Sequence, residues 1–322
     1  MTSEKIRFGV IGAGRMGRNH LRILSSLDRV DLVGLIDPDA SAAEEAAKNF
    51  ECKIFKSIDS LCEQVDAVTV TAPSTLHGEI GLQILQNRTH CLMEKPLATT
   101  DSECLGLIGA AEANGVILMV GHIERFNPAI QQLKNILEDG QRVHAFDARR
   151  MSSTSSRIQD VDVVMDLMVH DIDIVLWLAG ENVKQVSAIG VSKNGGRHSD
   201  YAVANIIFES GSIASITASR ITQNKIRTLQ VTSESGLFEV DFINQSIDVY
   251  QQDAIRELTQ GKAGNYMLDL TVGRVLVNRA EPLMSEVDHF VDCIRNQTKP
   301  LVGGHEAYDA LQVAWTIRES LS

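Results

Sequence analysis

The stretch Ile6–Gly17, with the sequence IRFGVIGAGRMG, indicates how the N-terminal part of the chain folds. Its apolar first half is typical of a buried parallel strand. The glycines Gly12, Gly14 and Gly17 follow in the spacing GxGxxG, and a helix-compatible segment comes after them. A second apolar strand ends at Asp37, 20 residues after Gly17. Because the glycines lie between a strand and a helix, with an acid at that distance, they predict a dinucleotide-binding unit rather than a glycine-rich turn without function.

Each residue of this motif has a physical task in binding a dinucleotide. Gly12 permits a tight turn, Gly14 lets a pyrophosphate approach the helix N-terminus, and Gly17 lets the helix pack closely on the strand. Asp37 can accept hydrogen bonds from the adenosine ribose and would repel a 2′-phosphate, so we expect NAD rather than NADP. Arg15 could offset part of this repulsion. The predicted cofactor contacts of the loop are Gly12, Gly14, Arg15, Met16 and Gly17.

Strands and helices alternate as far as Gly121, which predicts a parallel sheet with right-handed crossovers. Ligands of such sheets bind at the carboxyl ends of the strands. The loops expected there are the glycine loop, Ala72–His77 and Glu94–Pro96. Pro96 disfavours helical backbone at Lys95, so this lysine is expected at the ligand-binding edge. An ordinary exposed loop lysine is the alternative interpretation.

The second half of the chain is rich in strands joined by short turns such as Glu209–Ser212, which indicates an antiparallel sheet. Its least regular part predicts a loop and one strand near Arg274–Asn278, and two helices follow. The predicted fold is an α/β N-terminal Rossmann domain with a parallel sheet over residues 1–121. An α+β C-terminal domain with a large, mostly antiparallel open sheet is expected over residues 122–322.

The segment Val163–Leu178, VVMDLMVHDIDIVLWL, is apolar almost all the way round, which is typical of a buried helix. Asp166, His170 and Asp173 follow one another at helical spacing and are expected along one stripe. Burying a carboxylate and an imidazole without partners is costly. Either these side chains satisfy one another in a core, or the stripe faces a polar pocket.

Charge and cysteine content exclude several classes of partner. The chain has 30 basic and 42 acidic residues, a net charge of −12, which argues against nucleic acid and anionic membrane surfaces. Its five cysteines are scattered without a CxxC pair, which favours a reducing compartment and disfavours a zinc site, so we expect no metal. No apolar run approaches the roughly 20 residues of a membrane span, and the N-terminus does not resemble a signal peptide. We therefore expect a cytoplasmic protein without a membrane partner.

Further motifs follow in order along the chain. They are TAPSTLH at Thr71–His77, MEKPLA at Met93–Ala98, GHIERFNPA at Gly121–Ala129, DLMVHDID at Asp166–Asp173 and KPLVGGHEAYDAL at Lys299–Leu311. With the glycine loop and Asp37, they make the sequence resemble the glucose–fructose oxidoreductase/inositol dehydrogenase (Gfo/Idh/MocA) family over essentially the whole chain. The segment Arg149–Asp173 is most similar to the branch that acts on UDP-N-acetylhexosamines. The resemblance implies an NAD-dependent dehydrogenase that oxidises a secondary hydroxyl of a sugar or nucleotide sugar.

The resemblance also implies roles for individual residues. His170 is expected to be the catalytic base, since its ordinary pKa lies near neutral pH, and Asp166 would orient its ring. Lys95 would hydrogen-bond the reacting oxygen. Glu94 is expected at the nicotinamide-side ribose and Arg125 near the nicotinamide or the substrate.

The remaining predicted contacts follow from the loops and from a cluster of arginines. Further cofactor contacts are expected from Thr71, Ala72, Pro73, Ser74, His77, Glu94, Lys95 and Arg125. Substrate contacts are expected from Lys95, Arg125, Arg150, Arg157, Asp166 and His170. Arg149, Arg150 and Arg157 flank a polar loop and would bind a diphosphate, or they would form a solvated basic loop.

Other functions are compatible with the same fold. An inositol, polyol or free-sugar dehydrogenase would retain activity without a nucleotide group. A non-catalytic NAD-sensing regulator would not need Lys95, Asp166 and His170, and their presence favours an enzyme. By the resemblance, C-terminal sheets pair across subunits, so a homodimer or homotetramer is expected.

Overall fold

The computed structural model describes residues 4–138, 140–153, 162–193, 195, 198–258 and 265–321, with the backbone alone for 252–258 and 265–270. The chain divides into two compact units. The first is the chain up to Phe126 together with Glu281–Leu311, and the second is Asn127–Ala280 together with the residues from Gln312 onward. The first break falls shortly after the boundary expected at residue 121. The segment Glu281–Leu311 belongs to the first unit, whereas the sequence pattern suggested that everything after residue 121 forms one domain.

A six-stranded sheet forms the centre of the first unit. Its strands are β1 (Ile6–Ile11), β2 (Val30–Ile36), β3 (Lys53–Ile54), β4 (Ala67–Val70), β5 (His90–Glu94) and β6 (Leu118–Gly121). All neighbouring strands are parallel, in the order β3-β2-β1-β4-β5-β6. The helices between them are α1 (Arg15–Ser26), α2 (Ala40–Phe50), α3 (Ile58–Cys62), α4 (His77–Gln86) and α5 (Asp101–Asn114), with 3-10 turns at Ser74–Leu76 and Ile123–Phe126. The predicted alternation and parallel sheet are confirmed.

Local signals in the sequence explain where these elements begin and end. β4 and β6 are buried along their whole length, as expected for strands of a sheet covered on both faces. Thr100 and Glu103 form a reciprocal capping box at the start of α5. Gly115, with a φ of +64°, ends the same helix in the left-handed conformation that glycine adopts at little cost.

An eight-stranded sheet forms the centre of the second unit. In this unit, helix α6 (Pro128–Leu137) precedes the first strand, β7 (Val143–Met151). A π-helical turn at Val164–Met168 then leads into helix α7 (Val169–Ala179). The other strands are β8 (Val183–Val191), β9 (Tyr201–Phe208), β10 (Ile213–Ser219), β11 (Ile226–Ser233), β12 (Gly236–Asp241), β13 (Ser246–Leu258) and β14 (Asn265–Val275). The order is β14-β13-β12-β11-β7-β10-β9-β8, and only β7 and β10 run parallel among these described strands. The predicted mostly antiparallel sheet is confirmed.

The hairpin of β13 and β14 corrects the strand expected near Arg274–Asn278. The structure instead has a long β13 that continues to Leu258 and a β14 that spans Asn265–Val275. The sequence of this hairpin lacks the clear apolar alternation of a strand with one buried face. The length of the hairpin is therefore determined by hydrogen bonds between the backbones of β13 and β14, which cannot be read from the sequence.

One face of this sheet packs against helices and the other carries exposed apolar side chains. α6 packs on β12 and β13, and α7 packs on β7 and β10. Along β9, Ala202, Ala204, Ile206 and Phe208 alternate as buried residues. On neighbouring strands β8 and β10, large apolar side chains are exposed, among them Ile189 (73%), Val191 (61%) and Ile213 (52%).

The last two helices are α8 (Pro282–Asn296) and α9 (Gly304–Ser320). α8 joins the first unit through its apolar face, where the Phe290 ring packs edge-on against Phe8 of β1 with centroids 6.0 Å apart. The apolar stripe of α8 predicts that this helix packs against another element, but it does not identify that element. The position of α8 in the first unit was therefore not predicted. In the described parts of the chain, no helix has both the length and the apolar content needed to cross a membrane.

Candidate active site

Two of the three motif glycines, Gly12 and Gly17, lie where a side chain would collide with neighbouring backbone atoms. Gly12 has a φ of +101°, a conformation that residues with a side chain rarely adopt. A Cβ atom on Gly17 would lie 1.9 Å from the carbonyl oxygen of Gly12. Only glycine therefore lets α1 begin directly beside the turn that leaves β1, as the sequence predicts.

Gly14 is free of such constraints and faces open space. A Cβ there would meet no atom of the described residues within 4 Å. Gly14 is also the N-cap of α1, and within this described helix start no side chain caps the free N–H groups and no acid lies in the first turn. Neither the N-cap nor the first turn of α1 therefore supplies a side chain that would satisfy the free N–H groups at its positive end. This combination of space and charge fits the pyrophosphate of a dinucleotide.

Asp37 at the end of β2 holds the glycine loop as well as facing the ligand edge. Its Oδ2 accepts a hydrogen bond from the N–H of Ala13 at 2.6 Å, and its Oδ1 accepts one from Asp39 at 2.8 Å. Each carboxylate oxygen has further lone pairs, so Asp37 can still accept hydrogen bonds from ribose hydroxyls.

The loop after β4 supports the glycine loop from beside it. Thr71 Oγ1 lies 2.9 Å from the carbonyl oxygen of Gly12 and 3.1 Å from that of Ile11, and donates to this pair. The next three residues, Ala72, Pro73 and Ser74, are half-buried or exposed. Contacts of these four residues with the cofactor stay a prediction.

His77 joins two of the predicted ligand loops. Its ring is buried, with Nδ1 2.7 Å from the carbonyl oxygen of Pro96 and Nε2 3.0 Å from that of Ala72. Carbonyl oxygens only accept, so a ring nitrogen of His77 is the donor in each hydrogen bond. This geometry favours a clamp between the two loops over the predicted contact of His77 with the cofactor.

β5 ends at a hydrogen-bonded glutamate, directly before the loop that begins at Lys95. Glu94 Oε1 lies 3.0 Å from Nε2 of the fully buried His20, and its Oε2 accepts a hydrogen bond from the N–H of Lys95 at 3.2 Å. Both Glu94 and Lys95 are half-buried, and the Lys95–Pro96 peptide bond is cis. The backbone at Lys95 is thus held by the side chain of the residue before it.

Arg125 in the second 3-10 turn is almost fully buried within the first unit. Its Nη1 donates to the carbonyl oxygen of Leu301 at 3.1 Å. This contact ties the turn to the segment before α9. The contact of Arg125 with nicotinamide or substrate stays a prediction.

In the second unit, Asp162 fixes the start of the helical segment that carries the predicted base. Its Oδ1 accepts hydrogen bonds from the N–H groups of Val164 and Met165, both at 3.0 Å. Its Oδ2 forms an ion pair with Arg318 at 2.6 Å. The segment then makes one π-helical turn before it continues as α7, and such turns occur frequently at functional sites.

The three polar residues of this segment differ in burial. Asp166 and His170 are half-buried, whereas Asp173 is only 1% exposed. The sequence analysis expected a single stripe on a regular helix, but the π turn changes the spacing around Asp166. The burial of Asp173 supports a structural role for it.

Arg150 forms a buried ion pair that the sequence analysis did not foresee. Its Nε and Nη2 donate to the two carboxylate oxygens of Asp171 at 2.8 and 2.9 Å, and both side chains are 2% exposed. The guanidinium also lies over the Phe242 ring, 5.3 Å from its centroid. This favours a structural role for Arg150 over the predicted substrate contact. Arg149 is exposed and pairs with Asp147, and Arg157 lies outside the described residues.

Cys91 and Cys104 of the first unit are buried thiols with raised pKa values. Burial raises the pKa of the Cys91 thiol, and it raises the pKa of the Cys104 thiol to about 12. Neither thiol is therefore ionised near neutral pH, and thiolates are the reactive form.

Two buried polar residues of the first unit could have been found from helical spacing. Glu286 lies on α8 at the spacing of the buried residues Leu283, Val287 and Phe290. His20 similarly lies on the buried face of α1. An ionisable side chain on a buried stripe is unusual, so this spacing in the sequence is a signal that sets both residues apart.

Together, the strand order, the glycine loop with its uncapped helix and the acid after β2 define a dinucleotide-binding protein. The chain belongs to the Gfo/Idh/MocA oxidoreductase family. It matches this family's NAD-binding Rossmann fold over residues 6–122 and its C-terminal alpha/beta domain over residues 153–322. The resemblance stated from the motifs is confirmed.

Similar proteins of this family are named dehydrogenases. UDP-N-acetylglucosamine 3-dehydrogenase of Acidithiobacillus ferrooxidans is 34% identical over 249 residues, 77% of this chain and 78% of that protein. A solved structure of that enzyme has a TM-score of 0.90 at 29% identity and covers 99% of this chain and 98% of its own. Inositol 2-dehydrogenase of Acidothermus cellulolyticus is 34% identical over 201 residues, 60% of this chain and 59% of that protein.

Proposed function

We propose that this protein is an NAD-dependent dehydrogenase that oxidises a secondary hydroxyl of a UDP-N-acetylhexosamine. The observation that carries the proposal is the presence of Lys95 and of the half-buried pair Asp166 and His170 in a chain that also has the glycine loop. A sensor of NAD would need only the loop. The similarity to a UDP-N-acetylglucosamine 3-dehydrogenase over 77% of the chain supports the choice of substrate class.

In the proposed reaction, the residues of this chain handle the proton while the substrate loses a hydride. His170 takes the hydroxyl proton, since an imidazole titrates near neutral pH, and Asp166 orients the ring. Lys95 donates a hydrogen bond to the same oxygen and stabilises its developing negative charge. NAD, when bound, supplies the acceptor for the hydride at nicotinamide C4.

NAD is proposed over NADP because of Asp37. Its carboxylate sits at the end of β2 and accepts a hydrogen bond from Ala13 of the glycine loop, so a 2′-phosphate there would meet a like charge. Arg15 is exposed in the same loop and is the residue that could weaken this discrimination.

Inositol or another polyol is the second candidate substrate. It is favoured by the inositol 2-dehydrogenase that is 34% identical over 60% of this chain. It is also favoured by the burial of Arg150, which removes one of the cations proposed for a diphosphate. The alternative of a non-catalytic NAD-sensing regulator predicts cofactor binding without turnover.

The experiment is NAD reduction, followed by absorbance of the reduced cofactor, with UDP-N-acetylhexosamines, their uronates, myo-inositol and free hexoses. NADP replaces NAD in a parallel series. Lys95→Met and His170→Ala are each expected to lower kcat by about 100-fold or more, the usual contribution of a positioned acid or base. Lys48→Met and His144→Ala, at exposed positions, are matched controls that should keep activity.

The outcomes separate the candidates. Turnover of a UDP-sugar that is lost in both site variants supports the proposal, and turnover of polyols alone replaces the substrate class. NADH binding without turnover of any substrate favours the regulator. Equal use of NADP would contradict the role given to Asp37.

We also propose that the protein is a homodimer or homotetramer in a reducing compartment, the cytoplasm. The exposed apolar side chains Ile189, Val191 and Ile213 on the open face of the second unit's sheet support pairing with another copy. The free cysteines support the compartment. A monomeric mass in light scattering at micromolar concentration would contradict the assembly.

A further inference from the structure

Glu286 of α8 is a fully buried carboxyl group. Its exposed fraction is 0%, and neither carboxyl oxygen has a hydrogen-bond partner in the described chain. Buried acids are nearly always paired or hydrogen-bonded, because an unpaired carboxylate inside a protein is very costly. The burial of the Glu286 carboxyl group therefore needs a physical explanation, and the packing of α8 does not provide one.

Burial and a neighbouring carboxylate both oppose ionisation of Glu286. Burial raises its pKa far above the usual range, and repulsion from Glu94 raises it further. A carboxyl group in this situation holds its proton at neutral pH. As a neutral acid it can also donate a hydrogen bond, which a carboxylate cannot.

Other ionisable groups lie on α8 and on the elements near it. They are His20 and Arg22 on α1, Glu124 and Arg125 in the 3-10 turn, Glu94 on β5, and Asp288, His289 and Asp292 on α8 itself. Arg22 pairs with Glu281, and Arg29 pairs with Asp288 and Asp292. His289 Nε2 accepts a hydrogen bond from the N–H of Leu301.

Glu94 is the member of this group that borders the ligand edge. One of its oxygens lies 3.0 Å from His20 Nε2 and the other accepts the N–H of Lys95 at 3.2 Å. The Nδ1 atom of His20 is buried without a hydrogen-bond partner among the described residues. Glu94, His20 and Glu286, which we call the cluster, therefore include two carboxyl groups that repel each other, and Glu94 is already hydrogen-bonded to the backbone of Lys95.

We propose that Glu286 is a positioning residue that acts as a neutral acid and leaves Glu94 as the only carboxylate of the cluster. In this state Glu94 keeps its contacts with His20 and with the backbone of Lys95, and the loop that begins at Lys95 stays in place for NAD. The assignment rests on the cofactor role of Glu94 and Lys95 in the proposed function.

The proposal predicts a specific dependence on pH. Ionisation of Glu286 at alkaline pH would add a second negative charge that repels Glu94, weaken the contacts of Glu94 and so weaken NADH binding. The free energy of unfolding would also depend on pH through the ionisation of Glu286. In the unfolded chain Glu286 loses its proton near pH 4.5, whereas in the folded protein it keeps it to higher pH. The folded state thus binds more protons above that value, and folding weakens as pH rises, by at most about tenfold per pH unit in the unfolding equilibrium.

The test uses Glu286→Gln, which keeps the size of the side chain and cannot ionise. Unfolding by denaturant and NADH affinity are measured for the full chain between about pH 5 and pH 9. We expect the wild type to lose stability relative to Glu286→Gln as pH rises. We expect its NADH affinity to fall on the alkaline side by about fivefold or more, while that of the variant changes less. Glu286→Met is a second non-ionisable variant, used if glutamine impairs folding, and Glu44→Gln on the exposed face of α2 is the matched control.

Each outcome decides one part of the proposal. Parallel stability curves for wild type and both Glu286 variants would show that Glu286 is not a buried neutral acid and would overturn it. Diverging stability curves with parallel NADH curves would overturn the positioning role. Divergence in both, absent in Glu44→Gln, supports it. These readouts need no sugar substrate, so they stay decisive if the proposed dehydrogenase activity is not found.

Discussion

The glycine loop of the first unit and the helical segment after Asp162 in the second unit are built by opposite means. The loop depends on side chains that are absent: a Cβ on Gly17 would strike the Gly12 carbonyl, and the space beside Gly14 is open. The helical segment depends on side chains that are present and buried, above all the ion pair of Arg150 and Asp171.

This difference decides what substitution does in each region. In the loop, one added methyl group changes the backbone geometry or fills the ligand space, so damage comes from volume. In the helical segment, removing one charge leaves its buried partner unpaired, so damage comes from electrostatics. The two regions therefore predict different ratios of lost stability to lost cofactor affinity.

The largest expected effect is that of Arg150→Met. It would leave the Asp171 carboxylate, 2% exposed, without its two guanidinium donors. Breaking a buried pair from one side costs about 3–5 kcal/mol. Denaturant unfolding monitored by circular dichroism would measure the loss.

The controls for this variant distinguish charge pairing from lost packing and from substrate binding. Arg149→Met, at an exposed position paired with Asp147, should change stability by less than about 0.5 kcal/mol. The double variant Arg150→Met/Asp171→Leu should recover most of the loss, because no charge is left buried. If Arg150→Met kept full stability and lost affinity for a UDP-sugar, the structural role would be wrong and the substrate contact right.

A smaller effect on stability separates two glycines of the same loop. Gly17→Ala should cost about 1–3 kcal/mol because its methyl group overlaps the Gly12 carbonyl. It should also weaken NADH binding, since α1 would shift. Gly14→Ala should leave stability nearly unchanged, because its Cβ meets open space and its φ of −67° suits alanine. Its NADH affinity should still fall by about tenfold, since the methyl group occupies the place of the pyrophosphate.

Thermal unfolding and NADH titration of the same samples measure this pair. Gly109→Ala on α5 is the control: its Cβ also meets no described atom within 4 Å, and alanine should stabilise the helix by about 0.5–1 kcal/mol. That variant should bind NADH like the wild type. Unchanged affinity in Gly14→Ala would mean that the pyrophosphate lies elsewhere.

The same contrast explains what the sequence could predict. The Rossmann alternation and the glycine loop were predictable because they follow from local steric rules, and the acid at Asp37 falls at a fixed distance along the chain. The antiparallel sheet of the second unit was also predictable, because strands such as β9 alternate buried and exposed residues.

Long-range pairing accounts for what was missed. The buried pair of Arg150 and Asp171 was not predicted, because nothing near Arg150 in the sequence shows that the two residues meet. The contact of the buried His77 ring with the carbonyl oxygen of Pro96 was not predicted either, because the two residues are 19 positions apart in the sequence. The β13–β14 hairpin was underestimated because its sequence has weak alternation. In each case the deciding contact is made by residues that no local pattern connects.

The smallest expected effect concerns Asp162, whose carboxylate both accepts backbone hydrogen bonds and forms an ion pair. Its Oδ1 accepts from the N–H groups of Val164 and Met165, as a helix cap does, while its Oδ2 pairs with Arg318. Asp162→Ala should cost about 1 kcal/mol, the usual value for a lost cap. Arg318→Met should cost only about 0–0.5 kcal/mol, because the Arg318 side chain is 43% exposed and water screens the pair. Asp162→Asn keeps the accepting oxygen and should resemble Arg318→Met. Equal losses in Asp162→Ala and Arg318→Met, measured by thermal unfolding, would show that the ion pair and not the backbone donors fixes this helix start.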